Sequence, residues 1–200
     1  IFLAMFIAGI SLFIYYISTA PELDPEKLSD PFSSQIYDKD GELFAELGNV
    51  KRTKVEFADL PPVLIDAVTA TEDARFFDHF GIDLRRIGGA IIANIKRGFG
   101  AEGASTITQQ VVENAFLTPE KSLKIKVQEQ WLALKLEREY SKEQIMEMYL
   151  NKIFFGNGAY GVAKAAEVYF GKKDLHDLTL VEAAILAGLP QRPSAYNPFE

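Results

Sequence analysis

The 200-residue sequence predicts a mainly α-helical domain with a small β-hairpin element and an N-terminal transmembrane helix. Three observations predict it. Apolar residues recur at helical spacing from Pro62 almost to the end of the sequence, capping signals punctuate that stretch, and one Asp-Gly turn ahead of it separates two short alternating runs. Residues 1–20 stand apart from both, being uncharged and mostly Ile, Phe, Leu, Ala and Tyr.

Residues 1–20 approach the roughly 20 apolar residues that span a bilayer. Tyr15 and Tyr16 fall where an interfacial aromatic belt would lie. A transmembrane anchor is expected; a cleaved signal peptide is the rival, since Ser18-Thr19-Ala20 resembles a small-residue cleavage site. No basic stretch precedes the run, so the chain is expected to begin partway through its natural sequence, and charge does not orient it in a membrane. Residues 21–58 read as a juxtamembrane linker with Pro21, Pro25 and Pro31, followed by the hairpin. Gln35-Ile36-Tyr37 and Glu42-Leu43-Phe44 flank Asp38-Lys39-Asp40-Gly41 as short strands around a turn. That turn lacks the third acidic position and the distal Glu of an EF-hand, so it is not a calcium loop.

Residues 59–200 form the predicted helical domain. Leu64, Ile65, Val68 and Thr71 give Pro62 to Arg75 one apolar face, with Glu72 in the last turn. Asp83 is the expected N-cap of a helix through Ile87, Ile91 and Ile95. Gly98, Gly100 and Gly103 then break the chain, as a flap, a close backbone approach to a ligand, or a plain surface loop. Thr106 with Gln109 fits a capping box, which gives these polar residues a structural explanation independent of substrate. Pro119 is expected to open a long helix to Tyr140, and further capping boxes begin at Ser141 and Thr179.

Composition narrows the chemistry. There is no cysteine, and His79 and His176 are isolated from each other, so neither a disulfide framework nor a structural zinc site is expected. A net charge of −7 argues against nucleic-acid binding. Charge is uneven, however. From Arg75 to Lys126 eight basic residues face five acidic ones, which reads as a solvated helix surface or as a surface for an anionic ligand.

Two carboxylate positions are the candidates for acid/base work. Glu72-Asp73 stands where an apolar helical run turns aromatic at Phe76-Phe77, the setting of a partly desolvated carboxylate usable as a proton acceptor near neutral pH. The bland alternative is a helix ending in solvated acids above core phenylalanines. Glu129 lies three residues after Lys126, so the two share a helix face, either as a surface ion pair or as part of a subsite.

Five colinear motifs from Glu72 to Pro198 resemble the peptidoglycan glycosyltransferases of family 51, the polymerase module of class A penicillin-binding proteins and of monofunctional enzymes. The first is Glu72-Asp73-x-x-Phe76-x-x-His79-x-Gly81. The second is Gly103-Ala104-Ser105-Thr106-Ile107-Thr108-Gln109-Gln110, with Ala104 where the family commonly has glycine. The third is Ile125-Lys126-Val127-Gln128-Glu129, continuing to Ala133 and Leu136-Glu137, with Ile125 in place of an arginine. The fourth runs from Tyr149-Leu150-Asn151 through Gly156, Gly161 and Ala165-Ala166 to Tyr169-Phe170-Gly171-Lys172. The fifth runs from Leu178 through Glu182 and Leu186-Ala187-Gly188-Leu189-Pro190 to Tyr196-Asn197-Pro198, and these last two serve the fold more than the chemistry.

The resemblance implies a lysozyme-like fold with a membrane-proximal lobe, and lipid II and the growing glycan strand as substrates. By the same resemblance Glu72 is the general base, Glu129 stands on the leaving-group side, and Asp73, Ser105, Gln109, Gln110, Lys124 and Lys126 bind substrate, Lys124 replacing the charge missing at Ile125. No tightly bound cofactor or protein-held metal is expected; a divalent cation, magnesium or manganese, is admitted beside the pyrophosphate. Moenomycin-type inhibitors, other cell-wall synthesis proteins and the bacterial cytoplasmic membrane, with the catalytic domain on its outer face, complete the expected partners and place. A lytic transglycosylase and a wall-binding scaffold without turnover are the alternatives.

Overall fold

The computed structural model describes residues 2–28, 34–37, 43–47, 54–98, 103–118, 120 and 122–199. In chain order the described elements are α1 (Phe2–Ser18), α2 (Pro25–Leu28), β1 (Ser34–Tyr37), β2 (Leu43–Leu47), α3 (Pro62–Glu72), α4 (Leu84–Arg97), α5 (Ile107–Phe116), α6 (Leu123–Glu139), α7 (Lys142–Lys152), α8 (Val162–Phe170) and α9 (Leu180–Gly188). The fold is mainly helical. It divides into two compact units, Ile1–Lys27 with Arg75–Ile145, and Leu28–Ala74 with Met146–Glu200.

In the first unit α1 and α5 pack on α6. Ile107, Val111 and Val112 of α5 and Leu132, Ala133 and Leu136 of α6 are buried there. The Ser122 hydroxyl accepts the Ile125 amide, so α6 starts at Leu123 rather than at Pro119, which lies outside the described residues. A serine oxygen satisfies a first-turn donor that proline cannot. Asp83 caps α4 by accepting the Arg86 amide at 2.9 Å, and Thr106 and Gln109 close a capping box at α5. The α1 helix is 17 residues long. Among the described residues no helix is both long and apolar enough to cross a membrane, whereas the sequence predicts a transmembrane helix over residues 1–20.

In the second unit α3 and α8 pack on α9. β1 and β2 pair antiparallel, Ser34 opposite Leu47 and Ile36 opposite Ala45, while residues 38–42, predicted as the turn, lie outside the described residues. The sequence pattern predicts α3 to Arg75, but the helix ends at Glu72, where Asp73 leaves the helical region at φ −157° and ψ 77°. Asn151 ties the chain before α3 to α7, its Oδ1 accepting the Val55 amide at 2.8 Å and its Nδ2 donating to the Val55 carbonyl at 2.7 Å. One side chain thereby replaces a strand pairing. Gly156 has φ +85°, and a Cβ there would sit 2.8 Å from the Pro193 carbonyl oxygen, so this motif glycine serves chain packing.

Candidate active site

In the first unit the second and third sequence motifs converge on Glu129. Its carboxylate is 3% exposed, and Oε1 accepts from Gln109 Nε2 and from Lys126 Nζ, each at 2.7 Å. Lys126 also donates to the Ser105 hydroxyl at 2.9 Å, and its side chain keeps 47% exposure. The capping box fixes which end of Gln109 faces the carboxylate. Its Oε1 accepts the Thr106 amide at 3.1 Å, so only the amino end remains for Glu129. Thr106 in turn donates its hydroxyl to the Gly81 carbonyl at 2.7 Å, anchoring the end of the first motif to the start of α5.

Burial raises the Glu129 carboxyl from its usual value, and the charge of Glu113 adds to that; the hydrogen bonds and charge of Lys126 and the Gln109 amide oppose it. The result is a desolvated carboxylate holding an ammonium that still reaches solvent. Such a pair presents fixed positive charge to an incoming anion. Among the described residues no group of three or more His, Asp or Glu side chains is arranged to hold a metal ion.

Of the other residues expected in substrate binding, Lys124 lies about 200° around α6 from Lys126 and outside this cluster. Gln110 accepts the Asn114 side-chain amide through its backbone carbonyl. Glu72 and Asp73 belong to the second unit. Glu72 closes α3 at 8% exposure and Asp73 is fully buried. Tyr149, on the part of α7 in the same unit, has its hydroxyl pushed well up, first by burial and then by the negative charge of Glu72. Glu72 and Asp73 are thus buried carboxyl groups of the second unit.

Sequence reasoning missed a second polar cluster in the first unit. Glu137 Oε1 accepts from the Thr108 hydroxyl and from Lys142 Nζ, each at 2.6 Å. The Lys142 ammonium also lies 3.4 Å from His79 Nδ1 and 4.5 Å from the centre of the buried Phe76 ring. Phe76, His79, Thr108 and Glu137 all stand in the motifs; Lys142 meets three of them, and Thr108 joins through Glu137. The missed signal was periodic: Glu137 is eight residues after Glu129, about 80° from it around the helix.

The residue pattern of the Transglycosylase family matches residues 40–200. This chain belongs to that family. The transglycosylase is 57% identical over 194 residues to penicillin-binding protein 1A/1B of Bacillus subtilis (strain 168), covering 97% of this chain and 21% of that protein. It is 43% identical over 202 residues to penicillin-binding protein 1A of Streptococcus oralis, covering 100% of this chain and 32% of that protein. The chain thus spans a third or less of the length of these relatives. A crystal structure of penicillin-binding protein 1A from Haemophilus influenzae aligns with 85% of the chain and 16% of its own length, at TM-score 0.41 and 32% identity.

Proposed function

We propose that this transglycosylase polymerises lipid II, a disaccharide-pentapeptide carried on undecaprenyl pyrophosphate, into peptidoglycan strands. The observation that supports this best is the Glu129–Lys126 pair, in which a carboxylate with 3% exposure steers a half-exposed ammonium. A pyrophosphate leaving group needs charge stabilisation more than protonation, and a lysine held in place by a buried base supplies it. Ser105, bonded to the same ammonium, and Gln109, bonded to the same carboxylate, hold the pair in shape.

Glu72 is the general base. It takes the proton of the acceptor 4-hydroxyl while that oxygen attacks the anomeric carbon of the growing chain, and the bond from that carbon to the lipid pyrophosphate breaks. One displacement inverts α to β. Asp73 supports Glu72, and Gln110 and Lys124 are assigned outer contacts to sugar and phosphate. A divalent cation beside the pyrophosphate would draw most of its ligands from phosphate oxygens, with Glu129 orienting it, and would add charge neutralisation. The remaining assignments follow the same reading: residues 1–20 seat the protein in the bacterial cytoplasmic membrane, 21–58 connect, 59–200 catalyse on the outer face, and moenomycin-type inhibitors take the phosphate subsite.

Incubation with lipid II in detergent tests the function. Wild type should yield long glycan strands on gels, and Glu72→Gln should reduce turnover by about 10²–10⁴-fold with substrate binding retained. A lytic transglycosylase would instead shorten added strands. Near-normal polymerisation by folded Glu72→Gln would remove Glu72 as the base.

A further inference from the structure

The end of α1 is joined to α6 by a side chain that no step above uses. Three of the last-turn carbonyls of α1 have partners of different kinds. Tyr15 O accepts from the Thr19 amide and Ile17 O from the Ala20 amide, both within the segment itself. Tyr16 O accepts from Gln128 Nε2 of α6, at 3.1 Å, and the same nitrogen lies 3.2 Å from Thr19 Oγ1. Gln128 is 3% exposed. It thus spends its amide hydrogens on a last-turn carbonyl of α1 and on Thr19 just beyond the helix, capping a helix from which it is more than a hundred residues distant in sequence.

The position of Gln128 gives this contact a reach beyond local stability. It is adjacent to Glu129 and two residues from Lys126, on a different face of the same turn of α6. One face of that turn holds the carboxylate and ammonium; the other grips α1. α1 itself carries no charge and buries none of its residues in the protein, with Phe2, Leu3, Phe6, Ile7, Phe13 and Ile14 exposed. A helix apolar all round is stable in water only when something apolar covers it, and a lipid layer suits this one.

We propose that Gln128 is a positioning residue that sets the height of Lys126 and Glu129 above the lipid surface, by locking the last turn of α1 to the turn of α6 that bears them. This rests on the function proposed above, in which the phosphate met by Lys126 is borne by a lipid. An unlocked α1 still anchors the protein, but the ammonium no longer meets the phosphate at a fixed depth. A displacement of about 1 Å at a reacting centre costs up to about 10²-fold.

Gln128→Leu, which keeps volume and removes the amide, and Thr19→Val, which removes one partner, test this in the full chain, singly and together. The first readout needs no activity. Trp131, the single tryptophan, lies on α6 three residues from Gln128, so quenching of its fluorescence by phosphatidylglycerol brominated at defined carbons reports the depth of α6 in vesicles. Wild type should show one shallow depth, and Gln128→Leu a broadened or shifted one. The second readout is a substrate split. Gln128→Leu should lower kcat/KM for full-length lipid II in vesicles by about tenfold or more while leaving a short-chain, water-dispersed analogue unaffected, and the double variant should lose no more than Gln128→Leu alone.

Equal losses on both substrates would mark a merely structural residue and overturn the proposal. Unchanged depth, or no quenching of wild type at all, would overturn it too, because α6 would then not be held at the lipid surface by this contact. Failure of wild type on either substrate would instead strike at the polymerase reading, so the two failures are distinct.

Discussion

Replacing Lys126 with methionine keeps the side-chain stem and removes the ammonium that Glu129 holds at 2.7 Å. At that separation the attraction is about 1.5 kcal/mol in a water-like dielectric and about 6 kcal/mol in an effective protein one. The lysine side chain is 47% exposed, which places the pair toward the lower figure, and lysine ordering and desolvation offset part of the gain. The carboxylate is nevertheless buried, and a buried charge stripped of its partner is costly, so a loss of about 1–2 kcal/mol is expected near pH 7. The pH dependence identifies the cause. The folded-state value of Glu129 is already raised from 4.5, so the stability linked to it is fully present below that unfolded value and is lost as pH rises through the folded one. Lys126 lowers the folded value, so its removal widens that window upward. Urea unfolding in mild detergent, followed by Trp131 fluorescence on the same helix, should therefore show the variant destabilised near pH 7 and close to wild type near about pH 4. The same loss at both pH values would refute the buried-carboxylate account, and a loss below about 0.5 kcal/mol near pH 7 would reduce the pair to a surface contact.

Glu182 provides the opposite sign: Lys172 first, then Thr179, hold its carboxyl down at about 2, so its contribution is present above the unfolded value of 4.5 and disappears as pH falls through about 2. Glu182→Gln should flatten that part of the acid unfolding curve in circular dichroism, and superimposable curves would count against the network. Gly81→Ala should destabilise by at least about 2 kcal/mol, because φ is +98° and the new Cβ would lie 2.8 Å from the Ala133 carbonyl oxygen; a shift in thermal midpoint within error would show that the loop yields. Labelled penicillin should form no covalent adduct with this chain, since no Ser-x-x-Lys occurs in its 200 residues and penicilloyl transfer needs one. A stable labelled band on a denaturing gel would contradict this.

What was legible in the sequence followed from local chemistry. Asp83, Thr106 and Thr179 cap the helices they precede, because a short polar oxygen ahead of an apolar helical run has few other uses there. The start of α6 differs from the expected Pro119 for a related reason. Pro119 is a good first helical residue, but Ser122 satisfies an amide and wins. Pattern alone puts Glu72 in the last turn of α3; that the helix stops at that residue depends on the non-helical backbone of Asp73, which no periodicity encodes. Of the substrate-binding candidates, Ser105, Gln109 and Lys126 gather about Glu129, whereas Lys124, a candidate for its charge, is carried elsewhere by the turn of α6. Tertiary partners, such as Gln128 with Tyr16 or Lys142 with Phe76, had no trace in spacing along the chain.

Gln109 shows why a structural explanation of a motif residue does not displace a functional one. The capping box accounts for its oxygen completely, a structural explanation that stands beside its expected part in substrate binding. Yet the bond to the Thr106 amide is what leaves the amino end, a donor only, against Glu129. Had the oxygen faced Glu129, two acceptors would have met in a buried place and the carboxylate would have lost a hydrogen bond. The cap therefore sets the polarity of the cluster, and the same threonine, through its hydroxyl on Gly81 O, ties that polarity to the loop that ends the first motif. Helix capping and charge placement are one arrangement here: the order Ser105-Thr106-x-x-Gln109 begins the helix and orients the donor that helps hold a buried carboxylate against its lysine.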